Sequence, residues 1–220
     1  MSTIEFFFDF LSPFSYLAHC RLPALAIQYD CELVYKPFNM LEAKRAAGND
    51  GPGTPHIPVK FRYICTDLRR WADQYNVAFS MPWAVAADAT MEELNNIRLP
   101  ASGLDTTRVN KAMFFAIDRG QARAFATGIW DGSFGSNGLV GSEQLLMRVA
   151  HELGWSVDDL QQFIESDEAL DRYRGTTGEA ISRGVFGAPT MFADDQMWWG
   201  NDRLDMLEAY LATRGSISGC

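Results

Sequence analysis

Both ends of this 220-residue chain read as strand, while its long middle reads as helix. That order constrains the fold more than any other feature. Ile4 to Phe8 is a short aromatic-rich run, the pattern of a buried strand. Asp9 to Ser12 is a turn. Pro13 suits the first position of a helix and Ser12 its N-cap. From Phe14 to Tyr29, Leu17, Leu22, Leu25 and Ala26 fall at helical spacing. Leu33 to Phe38 follows a polar break as a second strand. This strand–helix–strand opening implies a parallel pair with a right-handed crossover. At the far end, Thr190 to Ala193 and Gln196 to Trp199 flank Asp194-Asp195, a hairpin pattern. A last helix covers Arg203 to Arg214, with Leu204, Leu207, Tyr210 and Leu211 on one face.

The middle opens with a loop, Gly48 to Pro55, holding three glycines and two prolines. From Val59 the period becomes helical, with Phe61, Ile64, Leu68 and Trp71 along one face. Further helices are predicted at Met91–Ile97, Thr106–Arg119, Gln121–Phe134, Ser142–Leu153, Val157–Ile164 and Asp167–Arg183. Asp105-Thr106-Thr107 and Ser156 are start signals, and Gly120 and Gly154 are breaks. The order β-α-β, helices, β-β-α is that of an α/β, thioredoxin-like fold with a large all-helical insertion. Residues 1–38 and 184–220 would form the thioredoxin-like domain, and 39–183 the inserted helical domain.

Composition narrows the function classes. Apolar residues make up 47% of the chain, enough for one compact core, yet no stretch is long and apolar enough to span a membrane. Met1 to Glu5 lacks a basic leader, so no secretory signal is read and a reducing, cytoplasmic setting is expected. Cys20, Cys31, Cys65 and Cys220 form neither a C-x-x-C pair nor a zinc spacing. They read as unpaired thiols, with Cys220 exposed in a polar tail. His19, His56 and His151 lie far apart, so no structural metal is expected. A net charge of −9 argues against a broad nucleic-acid surface but leaves room for a local cationic pocket.

Four segments can carry chemistry. Ser12 stands where the first parallel strand hands over to a helix, a place where free N–H groups favour an anion. A redox thioredoxin would have C-x-x-C there; this chain has Ser12-x-x-Ser15, which excludes dithiol exchange by that route. Ser12 as a helix cap and nothing more explains the same residue. Ala188-Pro189, just before a strand, suits a cis bond that leaves the Ala188 backbone open to an extended peptide; an ordinary turn proline is the plainer alternative. Asn201 or Asp202 would cap the last helix, and that helix start could also hold a carboxylate. Lys44, the Asn49–Pro55 loop, Lys60 and Asp67 make a charged face that could simply be solvated, Lys60 and Asp67 sharing one side of a helix.

Taken together, these segments resemble the kappa-class glutathione transferase superfamily, in particular its hydroxychromene-carboxylate isomerases, next to the DsbA-like group. The likeness runs nearly end to end. It rests on Phe7-Phe8-Asp9-Phe10-Leu11-Ser12-Pro13-Phe14-Ser15-Tyr16-Leu17-Ala18, on Gly48-Asn49 and Pro52, on Asp67-Leu68-x-Arg70-Trp71-Ala72, on Val185 to Phe192, and on Trp198 to Leu204. The resemblance implies a glutathione-dependent isomerase of naphthalene-type aromatic breakdown, cytoplasmic and homodimeric. It would interconvert a 2-hydroxychromene-2-carboxylate and trans-o-hydroxybenzylidenepyruvate. It implies that Ser12 faces the glutathione sulfur. Asn49, Lys60, Val185, Ala188, Pro189, Asn201 and Asp202 would hold the rest of glutathione, and Lys44, Thr54 and Pro55 the aromatic carboxylate. Met81 to Val85 has no polar aromatic residue where such isomerases supply one. A transferase or peroxidase that consumes glutathione, and a module that only binds it, remain open alternatives.

Overall fold

The computed structural model describes residues 2–51, 53–81, 86, 88–96 and 104–215. In chain order its elements are β1 (Ser2–Phe8), α1 (Pro13–Gln28), β2 (Cys31–Pro37), α2 (Met40–Ala46), α3 (Pro58–Tyr75), α4 (Met91–Asn95), α5 (Thr107–Asp118), α6 (Ala122–Trp130), α7 (Glu143–Glu152), α8 (Val157–Glu165), α9 (Asp167–Ser182), β3 (Thr190–Ala193), β4 (Gln196–Trp199) and α10 (Leu204–Gly215). The strands form one sheet in the order β2-β1-β3-β4. β1 is parallel to β2 and antiparallel to β3, and β3 is antiparallel to β4. This is the thioredoxin-like arrangement, with the helices entered between β2 and β3.

Three consecutive phenylalanines explain why β1 is central. Successive side chains of a strand point to opposite faces, and here both faces are covered, so Phe6, Phe7 and Phe8 are all fully buried. Phe6 and Phe8 join Tyr35, Phe10 and Trp130 on one side. Phe7 meets Phe38 and Phe192 on the other. Trp130 comes from α6, so the helical segment and the sheet share one core.

Most helix boundaries fall within a residue or two of the pattern. Ser156 caps α8 by accepting from Asp159 N, and Gly120 and Gly154 take positive φ at 66° and 75°. Three differences stand out. α2 falls where no element is predicted, and a 3-10 turn at Thr54–His56 closes the segment predicted as loop; seven residues capped by Asn39 are too short to show a period. The helix expected to reach Phe134 ends as α-helix at Trp130 and continues as a π turn over Asp131–Gly135. There the Ser133 hydroxyl donates to the carbonyls of Ile129 and Trp130, competing with the backbone ladder. The last helix is capped by neither Asn201 nor Asp202. It is entered through a 3-10 turn, Asn201–Arg203, whose cap is Gly200 at φ 102°, with no side-chain capping bond. The reason is that Asn201 turns into the core while Asp202 pairs with Arg203 at 2.6 Å. Cys220, Pro52, Ile97 and Pro82 to Val85 lie outside the described residues.

Candidate active site

The site grows from the turn between β1 and α1. Ser12 is the N-cap of α1, with extended φ and ψ, and its Oγ accepts from Ser15 N at 3.3 Å. Pro13 is the first helical residue. Capping is only half of what the hydroxyl does. It also donates to the carbonyl of Ala188, 176 residues away, at 3.0 Å. Ser12 is 4% exposed, so this bond is largely shielded from water.

Ala188-Pro189 is a cis peptide, as its sequence setting suggests. The loop around it is held on every side. Thr190 Oγ1 donates to Gly187 O, Val185 N to Ala180 O, and Gly200 N to Pro189 O. Gly187 has no room for a side chain, because a Cβ there would press on the Trp199 indole, which in turn lies edge-to-face with Phe186 at 4.9 Å. Val185 is buried beneath the loop with Phe7, Phe38 and Phe192. The Ala188 N–H makes no hydrogen bond among the described residues.

The start of the last helix is fastened to this ledge by the Gly200–Pro189 bond. Asn201 is 3% exposed, and its Nδ2 has no partner among the described residues. Its carbonyl accepts from Tyr75 OH. Asp202 is exposed, and one of its oxygens is engaged by Arg203. A buried amide donor left open is costly unless something accepts from it.

A third group approaches from α2 and α3. Lys44 is half-buried, and its carbonyl accepts from Asn49 N at 2.9 Å. Burial and the neighbouring Lys60 hold its amine below the ordinary lysine range, and Asp9 opposes them. Neither Lys44 nor Lys60 has a carboxylate within ion-pair distance among the described residues. Thr54 and Pro55 sit half-buried in their 3-10 turn. No hydrogen bond joins Asn49, Thr54 or Pro55 to Ser12, Ala188 or Asn201 among the described residues.

Sequence reasoning missed Asp9, reading it only as part of a turn. It is 3% exposed and accepts four hydrogen bonds. Its place between Phe8 and Phe10, both fully buried, was the available signal. Behind α1 lies a cleft of about 480 Å³, lined by Tyr16, Cys20, Arg123 and Asp131 among others. Burial and Asp131 push the Cys20 thiol up to about 11, so it is a thiol at neutral pH and no substitute for an active-site cysteine.

A DSBA-like thioredoxin-domain family model matches residues 3–212. The chain belongs to that family. Within it, the chain is 40% identical to the 2-hydroxychromene-2-carboxylate isomerase of Sphingobium xenophagum, over 95% of this chain and 97% of the other. A solved structure of a 2-hydroxychromene-2-carboxylate isomerase superposes with a TM-score of 0.85 at 35% identity, covering 98% of this chain and 97% of that one. Glutathione S-transferase kappa 2 of Caenorhabditis elegans is 28% identical over 95% of this chain and 91% of the other. By this kinship the chain is an enzyme of the isomerase class.

Proposed function

We propose that this chain is a glutathione-dependent isomerase that interconverts 2-hydroxychromene-2-carboxylate and trans-o-hydroxybenzylidenepyruvate. The observation that carries the reading is Ser12, whose hydroxyl lies 3.0 Å from the carbonyl of Ala188, beside the cis-Pro189 ledge with its open N–H. The residues fit a γ-glutamyl tripeptide thiol. Ala188 N–H suits the backbone of its cysteine, and the open Nδ2 of Asn201 suits the γ-glutamyl carboxylate. The free oxygen of Asp202 suits the ammonium group. Val185 and Pro189 shape the ledge, while Asn49 and Lys60 border the far end.

Bound glutathione would supply a thiolate that adds reversibly to the conjugated double bond, leaves a single bond free to rotate, and departs unconsumed. The protein's share is to favour that thiolate. A thiol with a pKa of about 8.5 is only a few per cent ionised at neutral pH. Ser12 can redirect its one hydroxyl proton from the Ala188 carbonyl to a sulfur at the start of α1, and the positive end of the α1 dipole adds to the effect. Lys44 would hold the substrate carboxylate, with Thr54 and Pro55 along the edge. The kappa resemblance further suggests a homodimer in the cytoplasm serving naphthalene-type catabolism. Light scattering should then report well above the 24.6 kDa of one chain.

The deciding experiment is an absorbance assay with 2-hydroxychromene-2-carboxylate, with and without glutathione, while total thiol is followed. Isomerisation that needs glutathione at constant thiol supports the reading. Thiol loss in step with turnover points to a transferase, and turnover without glutathione refutes the proposal.

A further inference from the structure

Asp9 is a buried carboxylate to which four donors from separate parts of the chain converge. Its Oδ1 accepts from Leu11 N at 3.0 Å, Thr106 Oγ1 at 2.6 Å and Asn110 Nδ2 at 3.0 Å. Its Oδ2 accepts from Met40 N, the first amide of α2, at 3.1 Å. Asn110 extends the cluster. Its Oδ1 accepts from Phe10 N, and its Nδ2 also lies near Tyr173 OH of α9. The carbonyl of Asp9 accepts from Ser12 N, and that of Phe10 from Trp130 Nε1. The turn that carries Ser12 is thus fixed from α2, α5 and α6 at once, with α9 reaching it through Asn110.

No cation lies within ion-pair distance of Asp9 among the described residues. A buried charge satisfied only by neutral donors keeps a field that reaches nearby groups. Lys44 is one helical turn from Met40, so the bond that anchors α2 also sets the position of Lys44. The charged groups acting on Lys44 are Lys60 from α3 and Asp9 from the turn. From α9, Tyr173 faces Asp9, and Glu42 and Asp105 act on Tyr173.

We propose that Asp9 is a positioning residue for the site, fixing the Ser12 turn by its hydrogen bonds against α2, the helix that carries Lys44 one turn further on. This rests on the functional reading above only for what Lys44 and Ser12 then do. Burial and Lys60 both hold the Lys44 amine below the ordinary lysine range, and the charge of Asp9 opposes them in part. Removing its charge therefore moves the Lys44 titration further down.

The test is an NMR titration of Lys44 in ligand-free protein carrying carbon-13-labelled lysine, its signal identified by its loss in Lys44→Arg. In Asp9→Asn the midpoint should fall below that of the wild-type chain. An unmoved midpoint overturns the proposal, since a merely structural Asp9 would not move it. Calorimetry with glutathione should show several-fold weaker binding in the same variant. If the wild-type chain takes up no glutathione, the functional reading fails, while the Lys44 titration still decides this one. Should Asp9→Asn not fold, Thr106→Val removes the shortest of the four bonds and keeps the charge. Amide exchange at Leu11 and Met40 should then speed up with the Lys44 midpoint unmoved, and unchanged exchange overturns the proposal.

Discussion

At the scale of single residues, Ser12 and His19 show how one side chain can serve stability and still have a further consequence. The Ser12 hydroxyl caps α1 and bonds Ala188. Ser12→Ala should cost about 1–3 kcal/mol, the sum of a lost cap and a carbonyl left without its donor. If the hydroxyl also stabilises a bound thiolate, turnover at neutral pH should fall by roughly one to two decades and recover as pH rises. A pH–rate profile identical to wild type would remove Ser12 from the mechanism. His19 is buried, with Nε2 against Thr127 Oγ1 at 2.8 Å and Nδ1 against Tyr35 OH at 3.1 Å. Burial, with the charge of Arg123, holds its imidazole down to about 3. An unfolded chain takes up that proton near pH 6.5. Stability from His19 is therefore whole above about 6.5 and is lost progressively as pH falls toward 3, by at most about 1.4 kcal/mol per unit. Urea midpoints between pH 7 and 5 should fall less steeply in His19→Gln than in wild type; equal slopes would show that His19 is not what titrates.

At the scale of elements, glycines in two helices predict opposite outcomes for the same change. Gly128 in α6 faces α7 so closely that a Cβ would lie 2.9 Å from a methyl of the buried Val149. Gly128→Ala should destabilise by about 1–3 kcal/mol through overpacking. Gly175 in α9 has nothing within 4 Å of such a Cβ. Gly175→Ala should stabilise by about 0.5–1 kcal/mol, because alanine loses less backbone freedom in a helix. Denaturant midpoints that shift the same way in both would refute this account of the packing. The start of α8 at Ser156 and the breaks at Gly120 and Gly154 were legible, since a cap or a positive-φ glycine acts within three or four residues. The π turn was not. It depends on Ser133 reaching back to Ile129 and Trp130, and Gly132 has no room because Leu145 and Arg148 of α7 stand against it.

At the scale of the whole molecule, the division into 1–38 with 184–220 and an inserted 39–183 remains a proposal about chain order. Physically, Phe6, Phe8 and Phe10 of the first part pack on Trp130 and Phe125 of the second. On that ground the chain should unfold in one cooperative transition, with near- and far-ultraviolet dichroism coincident. Trp130→Ala should lower both together, by about 3–5 kcal/mol; two resolved transitions would mean separate cores. By itself the sequence determined what neighbouring residues decide: a buried β1 from three phenylalanines, the cap at Ser12-Pro13, the breaks at Gly120 and Gly154, and the β-α-β and β-β-α ends. It also marked Ser12, Ala188 and Pro189 as one site through family resemblance. Only the tertiary structure decided that Asp9 gathers Met40, Thr106 and Asn110, that Gly200 and not Asn201 opens the last helix, and that the Asn201 amide is buried with no partner among the described residues. The Asp9 cluster turns on hydrogen bonds between residues 31 to 101 positions apart, and the seat of Asn201 on Tyr75, 126 positions away. Such bonds depend on which surfaces meet when the sheet and helices close over one core, and no local pattern along the chain encodes that.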